Sequence, residues 1–398
     1  LMKIVHLMGY FVPELGYQEY YLAKEHKKMG HDVYVITSDM LYPFPNIENM
    51  LKEAGVKNTS RKRNPGFSIV DEIKVYRLKH LLEYSDFLLL IGFKKTLEKI
   101  KPDVVFAHES RQGLPAIAAY YKNKFKYKFI VDQHDFYHKI PNHVWWKKTL
   151  RFLDYFLFRK FIVNFSLKRA DRIIVLTDQT KNFLKNTHKI KGNKMQLIPL
   201  GVDTDSFKFK ESSRSRIRKK HKIKEDEIAI VFAGTIVRRK GLDIIFKAFS
   251  ELDNNKLKLL IVGNGEVNYV NELKELAKKL GIEKNTIFTG FKNKKEIPDY
   301  FSASDIGVWP GNNSVIIMEA MACKLPIVMV DLQLGYLTSF NNGFKFKEND
   351  KNALKERLNK LIRNKSLRKK MGLNSYNAIK KAYSYETISK KFLEVLKN

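Results

Sequence analysis

The feature that most constrains this chain is a rhythm. Short apolar runs alternate with helix-length amphipathic stretches, and about halfway along the pattern starts again. Apolar runs bounded by turn signals and separated by helical periodicity are the pattern of βαβ units, which build mostly parallel sheets. In the first half, 3–8, 32–37, 104–107, 128–132 and 172–176 read as strands, with 196–198 as a short last one; in the second, 228–233, 258–262, 286–289, 306–309 and 327–330 do. At 398 residues the chain exceeds what one hydrophobic core usually serves. The expectation is α/β: two doubly wound domains in tandem. Glu211-Ser212-Ser213-Arg214-Ser215-Arg216 has little to bury and marks a junction near 203–225. The domains are set at 1–205, joined by a C-terminal helix at 382–398, and 206–381.

Charge narrows the partners. With 74 Lys+Arg against 42 Asp+Glu the formal charge is +32, which favours nucleic acid, an anionic membrane face or phosphate-bearing substrates. The single cysteine, Cys323, leaves no internal disulfide framework and no multi-cysteine metal site, which suits a reducing compartment. The start, Met2-Lys3-Ile4-Val5-His6-Leu7, has too short an apolar run for a signal peptide and reads as a first strand. No uncharged apolar stretch reaches the length that a membrane-spanning helix needs, so a soluble or peripheral protein is expected.

In open parallel sheets ligands bind at the carboxyl ends of strands, so the residues after each strand carry the functional argument. After 228–233 comes Gly234-Thr235-Ile236-Val237-Arg238-Arg239-Lys240-Gly241, leading into a helix. Three cations ahead of a helix N-terminus suit a diphosphate, or else form a solvated basic turn. The Gly-Lys-Ser/Thr order of a Walker loop is absent. Gly263-Asn264-Gly265 follows the strand 258–262, where backbone must approach a ligand or turn sharply. Glu319 is the one acid on the early, otherwise apolar turns of the helix that follows Trp309-Pro310-Gly311-Asn312-Asn313-Ser314. Such a carboxylate must be paired, ligand-bound or capping its own helix.

The N-terminal half has a loop with two glycines and a proline, 9–16, ending in Gly16. His108-Glu109 and Gln133-His134-Asp135 each follow a strand, and each histidine is either an acid/base or phosphate-contacting group or a hydrogen-bonded structural residue. Metal binding has little support: His-Glu-x-x-His and paired cysteines are absent, and there is no Asp-x-Asp tract of the kind that holds a divalent ion for a nucleotide sugar, so no metal or other cofactor is expected.

Taken together these pieces resemble the GT-B-fold retaining glycosyltransferases of family four. The resemblance covers almost the whole chain. It runs through 29–37, then Ile198-Pro199-Leu200-Gly201-Val202-Asp203, then Phe232-Ala233-Gly234 to Lys240-Gly241-Leu242, Ile261-Val262-Gly263-Asn264-Gly265, Phe288-Thr289-Gly290-Phe291 and Glu319-Ala320-Met321-Ala322-Cys323-Lys324-Leu325-Pro326. It implies two Rossmann-type domains facing a central cleft and a hexosyltransferase-type enzyme that moves a sugar from a nucleotide-diphosphate sugar with retention of configuration. By the same resemblance Lys240 holds the donor diphosphate, Arg238 or Arg239 supplies further charge, and Glu319 meets the nucleotide ribose. His134 stands near the reacting sugar. Gly16, Gly263, Gly265 and Phe291 line the donor, and Ser314 with Val315 offers backbone N–H groups to the diphosphate.

This sequence departs from the family at four places, two of them the loop 310–314, which is shorter than usual, and Lys324, which replaces a common glycine. Thr235 stands where an arginine is usual, and Gly311 stands eight positions before Glu319, where the family has the first acid of a pair. The stretch 145–161 interleaves aromatics with cations at helical spacing and reads as an interfacial helix on anionic lipid, with 87–95 as a second candidate; core helices with basic edges are the other reading. A lipid-linked or surface-glycan acceptor at the cytoplasmic membrane face follows from the first. A non-catalytic relative of the transferases and a basic nucleic-acid-binding protein stay as alternatives, although no nucleic-acid partner is expected.

Overall fold

The computed structural model describes residues 1–44, 47–134, 158–252, 255–311, 314–332 and 334–397. It divides into two compact units, Leu1–Gly201 with Tyr385–Asn398, and Val202–Ser384.

The first unit contains β1 (Lys3–Leu7), β2 (Asp32–Ser38), β3 (Gly66–Val70), β4 (Ile73–Leu78), β5 (His80–Tyr84), β6 (Phe87–Leu90), β7 (Val104–His108), β8 (Lys128–Gln133), β9 (Arg172–Val175) and β10 (Met195–Leu197). The main sheet runs β10-β9-β8-β7-β1-β2-β4-β3, parallel except for the β3–β4 pair. Strand β1 pairs with both β2 and β7, so the chain reverses its winding direction between β1 and β7. That switch point is where the sheet's ligand crevice forms. Near-continuous burial of β1, β7 and β8 is what a sheet covered on both faces requires. The helix Tyr385–Glu394 belongs to this unit: Ile388 and Phe392 are fully buried with Ile4, Leu22, Phe106 and Ile130.

The second unit has β11 (Ile228–Ala233), β12 (Leu257–Val262), β13 (Thr286–Gly290), β14 (Ile306–Trp309), β15 (Ile327–Val330) and β16 (Gly343–Phe346) in the order β13-β12-β11-β14-β15-β16. Every pairing is parallel. This is the doubly wound order of dinucleotide-binding sheets, with its switch point between β11 and β14.

Two expectations are corrected. The 87–95 segment is not an interfacial helix: Phe87–Leu90 is a strand paired antiparallel with His80–Tyr84, and a helix begins only at Phe93, after Gly92 at φ 84°. A short continuous apolar run carries no period that separates strand from helix, and Gly92 breaks the chain where a helix would have continued. The polar stretch 211–216, read as the mark of the junction, is the start of the helix Glu211–Lys220 inside the second unit, which begins at Val202. Polar contacts hold it: Ser213 donates to Asp299 at 2.5 Å, and the buried Arg218 donates to the carbonyl of Ala303 at 3.0 Å and that of Glu227 at 2.6 Å. Apolar periodicity cannot reveal a helix anchored this way. The 145–161 stretch lies outside the described residues as far as 157; beyond it Phe158 and Phe161 are exposed, the latter at the start of the helix Lys160–Arg169.

Candidate functional site

In the second unit the loops after β11, β12 and β14 pack against one another at the switch point. Gly234 N–H donates to Val262 O at 3.0 Å, Ile236 N–H to Asn264 O at 2.9 Å, and the Trp309 indole N–H to Ala233 O at 3.1 Å. A Cβ on Gly263 would stand 2.0 Å from Gly234 O, and one on Gly265 would stand 1.8 Å from Ile236 O. Both glycines are therefore required by the neighbouring loop itself. Residues Arg238–Lys240 form a single 3-10 turn, capped by Gly241 in the left-handed conformation at φ 65°, and the helix Leu242–Ser250 follows. Only glycine enters that conformation without strain.

The three cations of this turn have different surroundings. Lys240 is buried; burial, with Arg239 adding, lowers its ammonium to about 8. Arg239 is exposed. Arg238 turns toward the helix Val267–Lys279, donating to both carboxylate oxygens of Glu272 at 2.6 and 2.7 Å and lying 5.0 Å from the Tyr269 ring. Thr235 is exposed.

Glu319 sits on the short helix Ile316–Ala322, with Lys294 Nζ 3.9 Å away. Burial pushes its carboxyl up to about 7; Lys294 opposes and Asp203 adds to the rise. Ser314 and Val315 immediately precede that helix and are half-buried, and their carbonyls already accept from Ile317 and Met318. Gly290, at φ 71°, ends β13, and its carbonyl accepts from Gly263 N–H at 3.1 Å; Phe291 next to it is 46% exposed. Sequence reasoning missed Lys294, because it lies in the run Lys292-Asn293-Lys294-Lys295, which reads as ordinary surface.

In the first unit Gly16, at φ 62°, closes a 3-10 turn by donating to Pro13 O at 2.9 Å. Strands β7 and β8 place His108 opposite Asp132, and the two-residue alternation puts His134 on the same face. His108 Nδ1 lies 2.7 Å, and His134 Nε2 3.3 Å, from the same oxygen, Asp132 Oδ2. Glu109 accepts from His134 N–H at 3.1 Å and is held at φ 63°. Burial works against charge on His134, but Asp132 outweighs it, with Glu19 and Glu109 adding, and raises the imidazole to about 10. His134 is thus a proton donor at neutral pH. Asp132 is held well below the usual carboxylate range: burial would raise it, and the two imidazoles prevail.

Sequence reasoning passed over Asp132; the signal was an acid at the end of a strand that is otherwise apolar and buried. Among the described residues His108, Asp132 and His134 are the only His/Cys/Asp/Glu set whose donor atoms, within 4.8 Å of one another, have metal-binding spacing. Both imidazoles address one carboxylate oxygen, so the set is already joined by its own hydrogen bonds. Among the described residues no helix is long and apolar enough to cross a membrane.

Comparison with known proteins follows the same division. Residues 18–206 match the model of glycosyltransferase family 4, and residues 213–378 match that of glycosyl transferases group 1. An uncharacterized glycosyltransferase of Methanocaldococcus jannaschii is 25% identical over 99% of this chain and 98% of its own length. The alpha-monoglucosyldiacylglycerol synthase of Streptococcus pneumoniae is 26% identical over 42% of this chain and 39% of its own length. Among solved structures, Anabaena HepE in complex with UDP superposes with a TM-score of 0.69 at 18% identity, each chain covered in full. With the GT-B fold in its two Rossmann-type units and a transferase family matched in each half, the chain belongs to the family-four glycosyltransferases and is an enzyme of hexosyltransferase type.

Proposed function

We propose that this enzyme moves a sugar, with retention of anomeric configuration and without a metal ion, from a nucleotide-diphosphate sugar to a lipid-linked acceptor or growing surface glycan. The place proposed is the cytoplasmic face of the membrane. The observation that carries the donor reading is Lys240: a buried ammonium on the turn after β11, at the sheet's switch point, where burial makes its charge costly. A diphosphate bound there offsets that cost and meets the N-terminus of the helix Leu242–Ser250. Arg239 is the second cation of the turn, and Glu319 is the acid proposed to reach the ribose. Gly16, Gly263, Gly265, Phe291, Ser314 and Val315 complete the proposed donor contacts. Arg238 joins them only by leaving Glu272.

The complexes of Anabaena HepE with UDP and with UDP-glucose support a nucleotide-sugar donor, and the product in the Streptococcus relative's name supports a lipid acceptor. Catalysis would rest on prealigned cations that stabilise the departing diphosphate, and on His134 as a hydrogen-bond donor near the reacting sugar. The test is product analysis with UDP, GDP and ADP sugars in the presence of a chelator. An axial anomeric donor giving an axial product with undiminished rate is expected; inversion, or loss of activity on chelation, overturns the corresponding part.

A further inference from the structure

Four buried side chains that the reaction scheme leaves idle lead directly to His134. His26 on the helix Gln18–Lys28, His6 on β1, and His108 and Asp132 at the ends of β7 and β8 are each almost completely buried. Their polar atoms form one row. His26 Nε2 lies 3.2 Å from Ser389 O, His26 Nδ1 lies 3.0 Å from His6 Nε2, and His6 Nδ1 lies 3.0 Å from His108 Nε2. His108 Nδ1 then meets Asp132 Oδ2, which also receives His134. The His6 and His108 rings are stacked, with planes 5° apart.

The direction of this row is fixed at one end. A backbone carbonyl only accepts, so His26 Nε2 must carry a hydrogen and donate to Ser389. Burial lowers His26 to about 3, with His31 and His108 adding and the Ser389 carbonyl opposing; at neutral pH its Nδ1 is therefore a bare acceptor. His6 must then donate from Nε2. His6 is likewise held neutral, by burial first and then by His26 and His108, with Asp132 opposing, so its Nδ1 accepts. Hence His108 donates from Nε2. Its other nitrogen faces an ionised carboxylate, which also only accepts, and so donates as well. Both His108 nitrogens carry hydrogens, and Asp132 stays an acceptor.

We propose that His26, His6 and His108 are positioning residues for His134: a one-directional hydrogen-bonded row, oriented by the Ser389 carbonyl on the last helix, keeps Asp132 ionised and fixed as the acceptor of His134 Nε2–H. His134 Nδ1 is then the nitrogen left to donate toward the sugar or its departing phosphate. Among the described residues the charged groups acting on His134 are Asp132, Glu109 and Glu19, and the titratable groups acting on the far end of the row are His31 and His108. The catalytic consequence rests on the transferase reading above; the proton positions do not.

The test uses the full chain labelled with 15N-histidine. Two-bond proton–nitrogen correlation spectra at neutral pH are expected to show His26 and His6 as neutral Nε2–H tautomers and His108 donating from both nitrogens. His6 or His26 as the Nδ1–H tautomer overturns the row, whatever the enzyme's donor proves to be. Glutamine at position 26 can donate to Ser389 from its amide and accept from His6 at its oxygen, preserving the direction, whereas phenylalanine does neither. His26→Gln is expected to keep the two His108 protons and the parent kcat. His26→Phe is expected to free His6 to turn over, remove one His108 proton and lower kcat about tenfold at unchanged donor KM, with the basic limb of the pH profile moved to lower pH. Equal behaviour of the two variants, or a loss that tracks only their melting temperatures, overturns the positioning role. If the transferase reading fails, the spectra still decide the row.

Discussion

A Cβ on Gly311 would stand 2.5 Å from the carbonyl carbon of Lys240 and 2.6 Å from the carbonyl oxygen of Arg239. The backbone after β14 thus rests on the cationic turn after β11, and no side chain fits between them. Gly311, where the resemblance places the first acid of a pair, is for this reason not a vacancy that a substitution can refill.

Gly311→Glu should therefore damage the site. Forcing a side chain into a packed contact costs about 1–3 kcal/mol, read as a lower urea midpoint, and nucleotide-sugar affinity should fall as the Lys240 turn is displaced. A G311E protein as stable as the parent, with tighter donor binding, would show that the close approach is not maintained in solution.

Lys240 makes donor binding pH-dependent. Its free-state value is lowered from 10.5 to about 8, so the ligand-free fold carries the cost of a buried charge below about pH 8 and is relieved of it above. A bound diphosphate favours the charged form, and affinity should be level below pH 8 and fall by up to about tenfold per unit above it. Titration calorimetry from pH 6.5 to 9.5 measures this. A flat profile would remove Lys240 from the diphosphate contact.

Glu319 has the opposite linkage to an ordinary carboxylate. Its folded value is about 7 against 4.5 unfolded, so the folded state binds the proton more tightly. The stability this contributes is complete below about pH 4.5 and lost as pH rises through 7. Glu319→Gln, which keeps a neutral side chain at all pH values, should raise stability at pH 8 by about 1–3 kcal/mol and change it little at pH 4.5. Parallel denaturation curves for parent and variant across that range would contradict this.

The membrane proposal rests on Trp145, Trp146 and the cations around them. Each cation near an anionic surface contributes about 1 kcal/mol. Replacing Lys147, Lys148 and Arg151 by glutamate should reduce co-sedimentation with anionic vesicles at least tenfold and leave nucleotide affinity unchanged. Equal recovery of the parent on neutral vesicles in high salt would argue against electrostatic attachment.

The parallel strands were legible because a strand buried on both faces is a continuous apolar run, and β11, β14 and β15 have the ends expected from sequence. The β3–β4 and β5–β6 pairs were not. Gly66–Val70 is mostly exposed, and the turn through Asp71 and Glu72 takes positive φ at residues that are not glycine, so neither burial nor turn chemistry announced it. Among the candidate site residues, Lys240, Glu319 and His134 stand out in the sequence because each is a charged or titratable residue just beyond, or on the helix after, an apolar strand. His108 also stands out at its strand end, but Asp132, Lys294 and the joining of His108 to His6 do not, because their meaning comes from pairing across sequence separations of 24, 25 and 102 residues that no local pattern reveals.

The most direct measurement of the central claim is a thermal-shift screen of UDP, GDP and ADP sugars against the parent chain and Lys240→Ala. At least one nucleotide sugar is expected to stabilise the parent by several degrees at about 100 times its dissociation constant, where binding contributes about 2.7 kcal/mol, and Lys240→Ala is expected to abolish the shift. No shift with any donor, or an equal shift in Lys240→Ala, would contradict it.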